Sequence, residues 1–179
     1  MRLFIAIEFP EDIQKALRSA DTEIRCACAQ GSFPREENAH LTLCFLGETA
    51  GERLADVKAA MESVSSSPLS LQVTHMGRFR SREGDTLYRA VEGGEALYSL
   101  QHALCQALIR RGFSLEERRY TPHLTVARRA VLRESTALRE LSARLPTVEF
   151  TARYMTLLRS EQIDGRRVYT PVYRRSFEA

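Results

Sequence analysis

The sequence predicts a protein of two similar lobes, each formed in the order strand, helix, strand, helix, strand. The tripeptide His-Leu-Thr occurs at residues 40–42 and again at 123–125, in a chain with only four histidines. Both copies lie in an extended apolar run, and the same order of predicted elements surrounds each of them. Chance is a weak explanation, because at ordinary composition a histidine is followed by leucine and threonine only about once in a few hundred cases.

The first lobe is inferred from apolar spacing and from residues that end secondary structure. Short apolar runs predict strands, and apolar residues three or four positions apart predict helices. Pro10, Gly47 and the Ser-Pro break before residue 69 mark boundaries. The predicted strand, helix, strand, helix and strand lie at residues 2–9, 11–29, 39–46, 51–64 and 69–79.

The second lobe repeats this order. Its predicted elements lie at residues 86–91, 95–111, 121–128, 133–144 and 148–158, and Gly112 marks the end of its first helix. A further strand at 167–174 has no counterpart in the first half. We therefore expect one domain over residues 1–179, with pseudo-symmetric lobes built from approximately 1–80 and 81–179.

Each His-Leu-Thr strand is expected to present an imidazole beside a hydroxyl. Side chains alternate between the two faces of a strand, so His40 and Thr42 share one face. The apolar residues of that strand are expected to point into the core: Leu41, Leu43 and Phe45. The same alternation pairs His123 with Thr125. If the lobes pack about a pseudo-twofold axis, two imidazoles and two hydroxyls line one groove.

This set of groups suits displacement at phosphorus. Because imidazole changes charge near neutral pH, one histidine can accept a proton from the attacking hydroxyl or water while the other protonates the leaving oxygen. Threonine hydroxyls can donate hydrogen bonds to the non-bridging oxygens, where negative charge develops. This chemistry requires no metal, and acid and base on opposite sides of the phosphorus favour in-line displacement.

Composition narrows the class of protein. With 179 residues and 44% apolar content, the chain is long enough for a globular unit. No apolar run approaches the roughly 20 residues that cross a bilayer, and the first residues lack a signal-peptide pattern, so we expect a cytoplasmic protein without membrane contact. The scattered cysteines are expected to be reduced thiols rather than metal ligands or disulfides: Cys26, Cys28, Cys44 and Cys105.

Longer phrases around the two motifs resemble a known family. ENAHLTLCFLG at 37–47 and PHLTVAR at 122–128 are similar to the 2H phosphoesterases. Within them the chain resembles the RNA 2′,3′-cyclic phosphodiesterases, also called the 2′-5′ RNA ligase family. The resemblance covers essentially the whole chain, including RLFIAIEFP at 2–10 and Arg-Ser-Glu at 159–161.

The resemblance implies a LigT-like α+β fold with two antiparallel sheets around a central cleft. It implies hydrolysis of RNA 2′,3′-cyclic phosphate ends to 2′-phosphates without metal or cofactor, with weak 2′-5′ ligation as a side reaction. His40 and His123 take the family's catalytic positions, and Thr42, Thr125 and Arg128 take positions that contact the substrate phosphate. We expect a monomeric enzyme whose partner is an RNA or nucleotide with a cyclic phosphate end.

The position of Arg128 conflicts with strict strand alternation. It lies five residues after His123 and would face away from it, so it reaches the groove only through the end of the strand or a β-bulge. Other arginines could bind RNA phosphates: Arg78, Arg80 and Arg82 around Phe79, and Arg118 with Arg119. A solvated hairpin is an equally good interpretation of the first group. His75 and His102 lie outside the motifs and are expected to be structural or exposed.

Two other classes of function stay open at this level. A non-catalytic RNA-binding module would explain the arginines but not the two equivalent His/Thr pairs. A related phosphodiesterase for a small cyclic phosphate, of nucleotide or ADP-ribose type, would keep the same four residues. Turnover of a cyclic phosphate in the presence of a chelator would exclude the non-catalytic RNA-binding module. A substrate panel would distinguish an enzyme for small cyclic phosphates from an enzyme for RNA ends.

Overall fold

The computed structural model describes residues 1–178, which form nine strands, four α-helices and two short 3₁₀ turns. In chain order the strands and α-helices are β1 (Arg2–Glu8), α1 (Glu11–Ala27), β2 (Cys28–Ser32), β3 (His40–Glu48), α2 (Leu54–Glu62), β4 (Leu69–Phe79), β5 (Asp85–Glu92), α3 (Gly94–Ile109), β6 (His123–Leu132), α4 (Leu138–Arg144), β7 (Val148–Ala152), β8 (Tyr154–Ile163) and β9 (Arg166–Ser176). No helix within residues 1–178 is long and apolar enough to span a bilayer.

The strands form two sheets in which all recorded pairings are antiparallel. The four-stranded sheet has the order β3-β1-β8-β9, and the five-stranded sheet has the order β2-β6-β5-β4-β7. The two His-Leu-Thr strands, β3 and β6, lie beside β1 and β5 respectively. The α+β fold with two antiparallel sheets is therefore confirmed.

Each sheet takes strands from both halves of the sequence. β4, the third strand of the first unit, pairs with β5 of the second unit, and β8 of the second unit pairs with β1 of the first. The expected lobes of 1–80 and 81–179 are therefore wrong as spatial units, because the third strand of each unit completes the sheet of the other. One core contains residues of both sheets, which supports our proposal that the chain is a single domain.

Several predicted boundaries are also corrected. The strand predicted over 121–128 continues to Leu132, and the helix predicted near 133–144 begins only at Leu138. The strand predicted over 148–158 is two strands: β7 ends at Ala152 in the five-stranded sheet, and β8 begins at Tyr154 in the other sheet. The helix predicted over 11–29 ends at Ala27, since the next five residues form β2 and pair with β6. The sequence of β2, Cys-Ala-Gln-Gly-Ser, has no apolar alternation from which a strand could be predicted.

The helices cover one face of each sheet and leave the other face open. α1 and α4 contribute Ala20, Ile24 and Leu141 to a cluster with Leu87 and Ala127 of the five-stranded sheet. The apolar residues of α2 and α3 pack with the inward residues of β1 and β3 in the larger core. The opposite faces of the two sheets carry the histidines and border a cleft.

Candidate active site

The cleft brings together all five residues that the sequence singled out. It has a volume of about 310 Å³, and its lining includes His40, Thr42, His123, Thr125 and Arg128. His40 and Thr42 come from β3, and the other three residues come from β6. The expected groove with two imidazoles and two hydroxyls is therefore present in the structure.

The two imidazoles are held in the same way. Nδ1 of His40 lies 2.6 Å from the carbonyl oxygen of Asn38, and Nδ1 of His123 lies 2.7 Å from that of Thr121. A carbonyl oxygen can only accept, so Nδ1 carries the hydrogen and donates it in the neutral ring. Nε2 of each ring is then an acceptor when the ring is neutral and a donor when it is protonated, as an acid–base group requires.

Aromatic rings pack around each imidazole. The His40 ring centroid lies 5.0 Å from that of Phe4 and 5.1 Å from that of Tyr169. The His123 centroid lies 5.0 Å from that of Phe79 and 5.3 Å from that of Tyr88. These rings exclude water from the sides of both imidazoles and so favour the neutral form.

Burial and neighbouring charges set the proton affinity of both histidines. Burial lowers the pKa of His40 to about 4, and the positive charges of Arg128 and His123 act in the same direction. Burial also lowers the pKa of His123, with Arg118 and Arg128 adding to the effect. Burial and these charges therefore favour the neutral form of both rings in the free protein.

A carboxylate distinguishes the surroundings of His40. Glu8 lies opposite His40 in the β1–β3 register, and its charge raises the pKa of His40, against the larger effect of burial. The Glu8 carboxylate accepts hydrogen bonds from Thr156 Oγ1 and from Arg174 Nη2, the latter at 3.1 Å. Arg128 lowers the pKa of both histidines, so the two environments differ in that Glu8 opposes this effect at His40, whereas Arg118 adds to it at His123.

A β-bulge corrects the predicted direction of Phe45. Between Ile5 and Ala6 the partner strand advances from Cys44 to Thr42, so one residue of β3 is unpaired. Side-chain direction changes at this point: Cys44 is buried, whereas Phe45 is 44% exposed and lines the cleft. The expectation that Phe45 points into the core was wrong, because strict alternation does not hold across a bulge.

The equivalent bulge in β6 turns Arg128 into the cleft. Tyr88 pairs with Thr125, but the next residue, Leu87, pairs with Ala127. Ala127 is fully buried, and Arg128 therefore lies on the same side of the strand as His123. Of the two routes that the sequence left open, the end of the strand or a β-bulge, the structure has the bulge. Phe45 and Arg128 are both the fifth residue after their histidine, so the two halves place an aromatic ring and a guanidinium at equivalent positions.

Three polar groups in the cleft are free to bind a ligand. Among residues 1–178, the hydroxyls of Thr42 and Thr125 and the guanidinium of Arg128 form no recorded hydrogen bond or ion pair within the protein. Arg128 is exposed and both threonines are half-buried, so all three groups are accessible from the cleft. An anion with several oxygens could accept hydrogen bonds from all three.

The remaining candidate residues divide between the cleft and the exterior. Arg118, Arg119 and Phe79 line the cleft. Arg78 forms an ion pair with Asp85 at 3.4 Å, whereas Arg80 and Arg82 are exposed at the hairpin that joins β4 to β5. As predicted, His75 and His102 are exposed. The four cysteines form no disulfide among residues 1–178, and Cys44 Sγ lies 2.7 Å from Cys105 Sγ. Within residues 1–178 no group of three or more His, Cys, Asp and Glu residues could hold a metal ion.

Several residues of the site escaped sequence reasoning. Glu8 and Tyr169 approach His40 only through strand pairing, and Phe45 approaches through the bulge. Tyr120 lines the cleft three residues before His123, and its hydroxyl donates a hydrogen bond of 3.0 Å to the carbonyl oxygen of Thr42. In the sequence, the only feature that distinguishes Tyr120 is its position immediately before Thr-Pro-His.

Comparisons with known proteins identify similar chains. The sequence profile of the 2′-5′ RNA ligase superfamily matches residues 9–164. The chain is 28% identical over 176 residues to an RNA 2′,3′-cyclic phosphodiesterase of Methanothermobacter thermautotrophicus, covering 95% of both chains. It is 30% identical over 129 residues to a protein of the same name from Geobacillus stearothermophilus; the match covers 70% of this chain but only 41% of that relative's length.

The fold is similar to that of a solved structure. The crystal structure of Escherichia coli LigT complexed with 3′-AMP has a TM-score of 0.81 to this chain at 24% identity, and the match covers 99% of this chain and 98% of that one. At this level of identity the similarity supports the fold alone. The fold of this chain therefore has a counterpart of known structure.

Proposed function

Because the chain belongs to the 2′-5′ RNA ligase superfamily, we propose that it hydrolyses RNA 2′,3′-cyclic phosphate ends to 2′-phosphates, as a cytoplasmic monomer that needs no metal. The observation that carries the proposal is the matched pair of imidazoles. Each donates Nδ1–H to a backbone carbonyl, and both line one cleft with two unbonded hydroxyls and an unpaired arginine within the described part of the chain. The names of the relatives support the same substrate class.

The proposed reaction is one in-line displacement. Nε2 of His123 accepts a proton from water, and the water oxygen forms a bond to phosphorus opposite the 3′-oxygen. The bond from phosphorus to the 3′-oxygen breaks, and Nε2 of His40 donates a proton to that oxygen. The products carry a 2′-phosphate and a 3′-hydroxyl, and exchange with solvent restores both histidines.

Two charges that each act on one histidine, those of Glu8 and Arg118, support this assignment of acid and base, whereas Arg128 lowers the pKa of both rings. The acid must be protonated, and Glu8 favours the protonated form of His40. The base must be neutral, and Arg118 with Arg128 favours the neutral form of His123. A bound phosphate anion raises the pKa of both rings, so it supplies the remaining stabilisation that protonated His40 needs in its buried position.

The other polar groups would hold the phosphoryl oxygens. Thr42 and Thr125 lie two residues after their histidines and would donate hydrogen bonds to the two non-bridging oxygens, where charge develops as phosphorus becomes five-coordinate. Arg128 would supply a positive charge beside them. Phe45, at the equivalent position of the other half, offers an exposed ring on which the terminal base could stack.

The proposed activity is tested with an oligonucleotide that ends in a 2′,3′-cyclic phosphate. We expect the purified protein to convert this end to a 2′-phosphate in excess EDTA, with a mass gain of one water, and to leave a linear 3′-phosphate end unchanged. An untouched cyclic end would contradict the proposal. Binding of the oligonucleotide without turnover would instead indicate an RNA-binding module.

A substrate panel separates the proposed function from its nearest alternative. The arginines in and around the cleft favour an RNA end over a small cyclic phosphate, because additional phosphates can be neutralised there. We therefore expect a higher kcat/KM for an oligonucleotide than for a cyclic mononucleotide or an ADP-ribose cyclic phosphate. With a 5′-hydroxyl RNA as nucleophile in place of water, the same displacement would form a 2′-5′ bond as a weak side reaction.

Replacing Arg128 by alanine is expected to raise KM about 10- to 100-fold and to lower kcat less. The guanidinium would contact the phosphate in both the bound substrate and the transition state, and a hydrogen bond to a charged group contributes roughly 1.5–3 kcal/mol. KM should also depend less on salt in Arg128→Ala than in the wild type. Steady-state kinetics at several salt concentrations measure both effects.

Arg139→Ala is the matched control for Arg128→Ala. Arg139 is exposed on α4, outside the cleft, and its replacement removes the same charge. Its KM and salt dependence should remain those of the wild type. Equal effects of the two replacements would mean that Arg128 acts through net charge alone and does not contact the phosphate.

A further inference from the structure

The bulge in β3 is held by two side chains from the second half of the sequence. Successive carbonyls of a regular strand point to opposite sides, yet the carbonyl oxygens of both Thr42 and Leu43 accept hydrogen bonds from side chains. Tyr120 Oη donates to Thr42 O at 3.0 Å, and Gln101 Nε2 donates to Leu43 O at 3.4 Å. β3 is an edge strand of its sheet, so no neighbouring strand is available on its outer side.

Tyr120 is well suited to hold this position. Its side chain is half-buried at the cleft wall, and burial raises its pKa well above the usual range, so the hydroxyl keeps its proton and can donate a hydrogen bond at neutral pH. It lies three residues before His123, in the segment that leads into β6. A single hydrogen bond therefore connects the approach to the second motif with the backbone of the first.

The bond affects the groups that would contact the phosphate. The carbonyl that accepts from Tyr120 belongs to Thr42 itself, so its loss would free the backbone that carries this hydroxyl. The bulge that follows determines the direction of Phe45. A displacement of about 1 Å at a group that stabilises a transition state can lower a rate by roughly 100-fold.

We propose that Tyr120 is a positioning residue, which fixes the Thr42 hydroxyl for transition-state binding by bonding the Thr42 carbonyl across the cleft. The inference rests on the proposed function for its kinetic consequence. Its structural part, the dependence of Thr42 on the Tyr120 hydroxyl, stands independently.

The test combines Tyr120→Phe with Thr42→Val in a double-mutant cycle. Tyr120→Phe keeps the ring and removes the hydroxyl, and it is expected to lower kcat for cyclic phosphate hydrolysis about tenfold with KM within about threefold of the wild type. When Thr42 is already valine, the same replacement should lower kcat less than twofold, because the group that it positions is absent. Tyr98→Phe is the control, since Tyr98 is exposed and contacts Tyr120 only through its ring edge.

A second measurement does not depend on activity. In NMR spectra of protein with ¹³C-labelled threonine methyl groups, Tyr120→Phe should shift the signal of Thr42 and leave that of Thr125 in place. The spectrum also reports whether the variant is folded. An unshifted Thr42 signal would overturn the inference, whatever the kinetics.

The outcomes separate the inference from the proposed function. If Thr42→Val lowers kcat but Tyr120→Phe does not, the inference is wrong and the proposed function stands. If the two replacements lower kcat independently, Tyr120 has only a general structural role and the inference is also wrong. If the wild type does not hydrolyse the cyclic end, the proposed function fails, and the NMR shift alone decides whether Tyr120 positions Thr42.

Discussion

Replacing either His40 or His123 by alanine is expected to lower kcat by roughly 10²–10⁴-fold while the protein stays folded. One imidazole must accept a proton and the other must donate one, so the loss of either leaves one of the two proton transfers without its catalytic group. The double replacement should be little slower than either single one, because groups that act as a unit do not contribute additively. Steady-state kinetics on an oligonucleotide with a cyclic phosphate end, with circular dichroism as the folding check, measure these effects.

The pH dependence should assign the two roles. The wild type is expected to give a bell-shaped profile. Because burial lowers the pKa of both imidazoles, the maximum of kcat/KM should lie below pH 6.5. The maximum of kcat should lie at higher pH, since bound phosphate favours the protonated rings. His123→Ala should keep only the fall in rate at high pH, and His40→Ala only the fall at low pH.

Two other histidines in the chain provide matched controls. His75 and His102 are exposed outside the cleft, and their replacement by alanine should leave both the rate and the profile unchanged. A folded His40→Ala or His123→Ala variant with near wild-type rates would exclude the two-histidine mechanism. If His123→Ala kept only the fall at low pH and His40→Ala only the fall at high pH, the two-histidine mechanism would stand and the assignment of acid and base would be reversed.

Replacing Thr42 or Thr125 by valine is expected to lower kcat roughly 10²–10³-fold and to change KM little. Valine keeps the branched shape but removes the donor to an oxygen whose negative charge grows in the transition state. The two effects should be similar, because the hydroxyls occupy equivalent positions beside equivalent histidines. The measurement is the ratio of kcat values with saturating substrate.

Serine variants and a distant threonine complete this test. Thr42→Ser and Thr125→Ser retain the hydroxyl and should keep most of the rate. Thr151→Val removes an exposed hydroxyl on β7, outside the cleft, and should have no effect. A rise in KM with unchanged kcat in the valine variants would mean that the hydroxyls bind substrate and transition state equally, contrary to their proposed role.

Local patterns predicted most of the elements but not how they associate. The strand over Leu69–Phe79 has the predicted bounds, because Leu69, Leu71 and Val73 alternate at its start, although a register shift between Val73 and Met76 interrupts the pattern. The residues from Val148 to Leu158 also look like one strand, and only the structure shows that Arg153 lies between strands of different sheets. Apolar periodicity reports which face of a strand is buried but contains no information about its neighbour.

The same limit explains which residues of the candidate active site could be predicted from the sequence and which could not. His40, Thr42 and their counterparts could be predicted, because a repeated tripeptide in equivalent strands fixes both residue type and face. Phe45 could not, because a bulge shifts the register by one residue without any mark in the sequence. Glu8 and Tyr120 approach the first motif through strand pairing and a long-range hydrogen bond, so no local pattern reveals them.

The shared sheets make this chain the covalent equivalent of a strand-swapped dimer. A polypeptide with only one unit could not complete its sheet with its own third strand. It would need the third strand of a second copy and would supply its own third strand to that copy in return. Joining both copies in one chain makes that association intramolecular, so the cleft assembles independently of protein concentration. It also allows the two copies to diverge, and the contrast between Phe45 and Arg128 at equivalent positions would not be available to a symmetric pair.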